Sequence, residues 1–127
     1  MNTAFPLEYL YHEELYAQRA TVLVILFPGW NELAEEDRLL LKKIMGSVRL
    51  DLAAVQIITR QEFSLQDLET YAPKQIIAFG SVFKGSTAQY QLISHEGTSV
   101  IQADSLQKLD DPKKKSLWMA LKQMFNI

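Results

Sequence analysis

The sequence predicts an α/β protein of three layers, α/β/α, with a central, mainly parallel four-stranded sheet. Three observations carry this. Apolar runs rich in β-branched residues recur at 21–27, 54–59, 75–80 and 98–103. They are continuous rather than alternating, as suits strands buried on both faces. Segments with apolar residues at helical spacing fall between them. Pro28 and Gly29 close the first run and Gly80 the third, so each strand leaves through turn chemistry. Strand–helix–strand order of this kind implies right-handed crossovers and a sheet covered on both faces.

The elements follow in order. Residues 1–18 read as an N-terminal helical segment and residues 19–127 as a single α/β domain. In the first segment Leu7, Leu10, Tyr11 and Leu15 fall at helical spacing beside Glu8, Glu13 and Glu14. After the strand at 21–27, Asn31 is placed to cap a helix whose positive end suits Glu32, Glu35 and Glu36. Its stripe is Leu33, Leu40, Leu41, Ile44 and Met45, and Gly46 is the expected stop. Ser64 is the expected cap of a short helix through Leu65, Leu68 and Tyr71, ended by Pro73. Residues 81–88 read as loop or a single helical turn. Residues 90–93 read as a further strand candidate, joined around His95, Glu96 and Gly97 to the candidate at 99–102, which lies within the fourth run. A last helix from about Pro112 to Phe125 carries the stripe Leu117, Trp118, Leu121, Met124 and Phe125, with proline in its favoured first turn.

Composition bounds the function. The chain has 127 residues, the length of one domain, and 48% apolar residues, enough for a core without covalent staples. It has no cysteine, which excludes disulfides and thiolate metal sites, and two histidines alone argue against structural zinc. No cofactor is expected. The longest apolar run, 22–27, is too short to span a bilayer, and the first residues lack the basic start of a secretory signal, so a cytoplasmic protein with no membrane role is the expectation. The net charge of −2 argues for at most weak nucleic-acid binding. The one basic cluster, Lys113, Lys114 and Lys115 with Lys108 and Lys122 nearby, reads as a solvated helix start rather than a phosphate patch.

In parallel sheets the working site lies beyond the carboxyl ends of the strands. Here those ends are 27–31, 59–61, 80–82 and 102–105. The lone glycine of Pro28-Gly29-Trp30-Asn31 does not make a phosphate loop. Trp30 stands where it can stack on a base or a partner, or simply pack. His12 and His95 are far apart in sequence and off the site-side strand ends. Asp104-Ser105 before Leu106 fits a helical cap better than an acid/base pair.

Several stretches together resemble the uracil-DNA glycosylase superfamily. They are the strand-turn at 24–29 with the helix after it, the strand at 55–59, the proline–lysine–apolar strand–glycine pattern from Pro73 to Gly80, and the terminal strand, turn, Pro112 and helix. The resemblance covers roughly residues 20–126 and implies a glycosylase-like fold. It also implies a degenerate pocket at Phe27, Pro28, Gly29, Trp30, Asn31, Gly80, Ala103, Asp104 and Ser105. The family's leaving-base histidine maps to Ala103, which cannot donate a hydrogen bond to a developing oxyanion. Apolar Phe27 and Pro28 stand where the family keeps a water-handling polar residue, with only Asn31 further along. The expectation is therefore a chain without catalytic residues. One non-enzymatic branch of this fold, the psi-type subunits of the bacterial DNA polymerase III holoenzyme, bridges the clamp loader and the chi subunit. It is similar in size, in its separate N-terminal segment and in a Leu-Trp near the end (Leu117, Trp118). That likeness implies a protein-interaction adaptor in DNA replication or repair, with a clamp-loader or chi-like partner and with Phe5, Leu7, Tyr9, Leu10 and Tyr11 as partner-binding residues. Two alternatives stand beside it: a DNA glycosylase or other nucleic-acid-processing enzyme with relocated catalytic residues, and an interaction domain of unknown partner.

Overall fold

The computed structural model describes residues 22–50 and 55–126. The expected N-terminal helix lies outside them, and so do Phe5, Leu7, Tyr9, Leu10, Tyr11 and His12. The described elements are β1 (Val22–Leu26), α1 (Glu35–Ser47), β2 (Gln56–Thr59), β3 (Glu62–Phe63), β4 (Gln75–Phe79), β5 (Val82–Phe83), β6 (Ile93–His95), β7 (Thr98–Ala103) and α2 (Asp111–Phe125). Short 3-10 segments lie at Trp30–Glu32, Gln66–Tyr71 and Leu106–Lys108. No helix among the described residues is long and apolar enough to cross a membrane.

The main sheet runs β2-β1-β4-β7-β6. The four strands expected from the sequence are the four parallel ones, paired β2 to β1, β1 to β4 and β4 to β7. The fifth, β6, adds an antiparallel edge through a hairpin onto β7. Glu96 and Gly97 turn it, both at positive φ (52° and 84°), the twist that suits a two-residue hairpin. The strand begins at Ile93 rather than Tyr90, because Tyr90 is itself left-handed (φ 58°) and donates its N–H to the Gln102 carbonyl at 2.8 Å.

The two faces of the sheet are covered differently. On one, Leu41 and Met45 of α1 and Leu117, Leu121 and Met124 of α2 pack over Val24, Leu26, Ile77, Phe79 and Ile101. Each such side chain, fully buried, is worth about 1.5–3 kcal/mol. On the other, Leu23, Ile25, Ile76, Ala78 and Val100 meet Phe63, Leu68 and Phe83. Both α-helices share the first face. The second is covered, among the described residues, by the 3-10 helix and by the parallel pair β3–β5, whose Phe63 and Phe83 rings stack at 5.2 Å. The β5 strand falls in the stretch expected to be loop; two residues are too short to leave a periodic signature. The N-cap of the 3-10 segment is Leu65 rather than the expected Ser64, which stands one residue earlier and exchanges bonds with Asp67: Ser64 Oγ accepts from Asp67 N–H and Asp67 Oδ2 accepts from Ser64 N–H, both at 3.2 Å. The segment has only six residues before left-handed Ala72 and Pro73, a length suited to a tight 3-10 turn.

Three further expected helix boundaries are corrected. Asn31 does not cap α1: it lies within the 3-10 turn, and α1 starts after Ala34, four residues of extended and turn backbone later. Gly46 does not stop α1, which runs on to Ser47. The chain leaves it through left-handed Arg49 (φ 65°) instead. Asp104 and Ser105 make no side-chain cap on the turn at Leu106–Lys108, because Asp104 is engaged elsewhere. The last helix is capped by Asp110, whose Oδ1 accepts from Lys113 N–H at 2.9 Å, and Pro112 lies in its first turn as expected.

Candidate functional site

The carboxyl ends of β1, β4 and β7 are tied side by side. Phe27 N–H donates to the Phe79 carbonyl at 3.0 Å, and Gly80 N–H to the Ala103 carbonyl at 2.9 Å. Gly80 is required at this junction. Its φ is +76°, and a Cβ there would overlap the Phe27 carbonyl and approach Ser105 Cβ to 3.0 Å. The Phe27–Pro28 peptide bond is cis.

The expected pocket residues divide between two depressions. Phe27, Pro28, Gly80, Ala103, Asp104 and Ser105 border a cleft of about 460 Å³, together with Ser81, Gln89 and Lys108. Gly29, Trp30 and Asn31 border a separate depression of about 400 Å³ against Ile57 and Thr59 of β2. Gly29 and Thr59 pack tightly within the second depression, where a Cβ on Gly29 would come within 2.5 Å of Thr59 Oγ1. Trp30 is half-buried. Arg38 donates from Nε to its carbonyl at 3.0 Å and lies 5.2 Å from its ring centroid, a cation–π contact. A depression of similar size, about 470 Å³, lies by the amino ends of β4 and β7 between Leu65, Pro73, Glu96 and Thr98. None of its lining side chains is a buried polar group without a partner.

Asp104 is the electrostatic centre of the cleft. Tyr90 OH donates to its Oδ2 at 2.7 Å, and Lys113 Nζ lies 3.3 Å from the same oxygen. The Asp104 N–H in turn donates to the Tyr90 hydroxyl at 3.1 Å. The Tyr90 hydrogen bond, ahead of Lys113, holds the Asp104 carboxyl below its ordinary value of 3.8. Burial first, then the bond to Asp104, pushes the Tyr90 phenol up to about 12. At neutral pH Asp104 is an anion and Tyr90 a neutral donor, so neither is poised to exchange a proton there.

Two more polar groups shape the cleft. Gln102, 3% exposed, accepts from Phe83 N–H at 2.9 Å and donates to the Ser86 and Ala88 carbonyls at 3.0 Å each, fastening the 84–92 loop to β7. Ser81 is 4% exposed and borders the cleft, yet its hydroxyl has no hydrogen-bond partner among the described residues. Ala103 is buried in the core under the helices. His95 pairs with Thr98 at the opposite end of β7 from the cleft. No group of three or more His, Cys, Asp or Glu among the described residues is placed to hold a metal ion.

Sequence reasoning missed Tyr90, Ser81, Gln102 and Lys108. A signal existed for one of them: Gln102 is a polar residue inside a run of buried apolar positions, which calls for a dedicated set of partners. Nothing local marks the other three. A scan against protein-family models finds no match to this chain, and a search of curated proteins finds none either.

Proposed function

We propose that this chain is a non-enzymatic adaptor on a uracil-DNA glycosylase-like, three-layer scaffold, binding another protein in DNA replication or repair in the manner of psi-type subunits. The observation that carries this reading is Ala103. It ends β7 and is 2% exposed with its methyl group in the core, and under the proposed resemblance it stands where the glycosylases carry their histidine. The neighbouring strand end presents Phe27 and Pro28 rather than a water-binding side chain. His95 sits at the other end of the sheet and offers no substitute. Asp104, the one carboxylate bordering the strand-end cleft, already has its Oδ2 engaged by Tyr90 and Lys113, and Asn31 borders a separate depression.

Two measurements test the proposal. The full chain should release no uracil from uracil-containing oligonucleotides above the buffer rate; release abolished by Asp104→Asn would establish the enzyme reading. It should also co-elute with purified clamp-loader complex or chi subunit in size-exclusion chromatography, and replacing Phe5, Tyr9 and Tyr11 together with Ala should abolish that. Co-elution with neither would overturn the psi-type assignment.

A further inference from the structure

We propose that the cleft at the carboxyl ends of β1, β4 and β7 is a binding site for a small organic carboxylate that carries an apolar substituent. Four features of the cleft point to this ligand. The first is Ser81. A hydroxyl buried to this degree costs free energy when it makes no hydrogen bond, and burial of polar groups in folded proteins is nearly always matched by a partner. Among the described residues Ser81 Oγ has none, although the residue it belongs to borders a cleft of about 460 Å³. A bound acceptor supplies the missing bond.

The second is the balance of charge. The one carboxylate on the cleft, Asp104, has its Oδ2 committed to Tyr90 OH and to Lys113 Nζ. Lys108, also on the cleft, makes no ion pair among the described residues, so one positive charge remains for a ligand. A single ammonium group and one hydroxyl match a monoanionic carboxylate. A phosphate dianion calls for more donors, usually several backbone N–H groups or an arginine fork.

The third is the wall. Phe27 and Val82 border the same cleft with 39% and 53% of their surfaces exposed, and Pro28 lies between the strand ends beside them. Exposed apolar side chains gathered at a polar cleft fit a ligand with an apolar body and a polar head. The fourth is rigidity. Gly80 is locked by its close approach to Phe27 and Ser105, and the 84–92 loop is fastened by Gln102. A site held this way binds without the entropic cost of ordering it.

The assignment stands apart from the adaptor reading, since a carboxylate can bind whether or not a protein partner does. Benzoate is the probe, titrated into the ¹⁵N-labelled full chain and followed by amide chemical shifts. Saturable shifts centred on Gly80, Ser81 and Ser105 are expected, with a dissociation constant on the order of 1 mM for so small a ligand. Benzamide, the neutral isostere, should bind at least about tenfold more weakly, and Ser81→Ala and Lys108→Gln should each weaken benzoate by about tenfold. Lys108 is exposed, so its replacement leaves the fold intact even if Ser81→Ala does not. Benzamide binding as well as benzoate, inorganic phosphate or uracil binding more tightly than benzoate, or shifts that map away from the cleft, would each overturn the assignment.

Discussion

At the residue scale, a few backbone positions decide where the strand ends meet. Gly80 and Gly97 are both left-handed, but they differ in surroundings. A Cβ at Gly97 meets nothing within 4 Å, whereas one at Gly80 overlaps the Phe27 carbonyl. Left-handed backbone costs an L-residue roughly 1–2 kcal/mol by itself. Gly97→Ala should therefore lower stability by about 1 kcal/mol, and Gly80→Ala by about 3 kcal/mol once the collision is added. Urea unfolding of the two variants checks this; equal losses would mean that β1 can move away from β4 without penalty. The glycine after the third strand was legible in the sequence because a turn there needs one. Its contact with Phe27 was not, because that contact joins residues more than fifty positions apart.

At the element scale, local pattern located the strands and long-range hydrogen bonds decided their edges. The four parallel strands carry continuous apolar runs, so periodicity alone finds them. The edge strand β6 has no such run, and its start was displaced by Tyr90, whose side chain is drawn to Asp104 across the 84–92 loop. The same pair makes a testable pH dependence. Asp104 has its folded-state pKa lowered below 3.8, so its contribution is complete above that value and is lost as pH falls through the lower folded one. Tyr90 has its pKa raised from 10.0 to about 12, so its contribution is complete below 10.0 and is lost as pH rises through about 12. Asp104→Asn should flatten the acid limb of the stability curve below about pH 4, and Tyr90→Phe the alkaline limb above about pH 10. Urea midpoints across that range provide the measurement. Variant curves that run parallel to the wild-type curve at both ends would show that the network does not couple to folding.

At the scale of the whole molecule, charge separates the adaptor reading from a nucleic-acid enzyme. An enzyme acting on DNA must hold its substrate, and most of that hold comes from neutralised phosphates. This chain has 13 Lys and Arg against 15 Asp and Glu, a net charge of −2. Its basic cluster lies on α2 and the turn before it, with Lys108, Lys114, Lys115 and Lys122 exposed and Lys113 half-buried. Two of its members are partly engaged: Lys113 is folded back onto Asp104, and Lys122 lies 5.8 Å from the Trp118 ring centroid. Three lysines remain to meet phosphates, which corresponds to a slope of log affinity against log salt of about −3. Binding to a double-stranded oligonucleotide should accordingly be non-specific, with a dissociation constant of about 10⁻⁵ M or weaker at physiological salt. Fluorescence polarisation at low and physiological salt measures both quantities. Affinity of about 10⁻⁸ M, the range of specific complexes, would place DNA rather than a protein as the principal partner. Loss of that affinity on replacing Lys114 and Lys115 with Gln would then locate it on α2, away from the strand-end cleft.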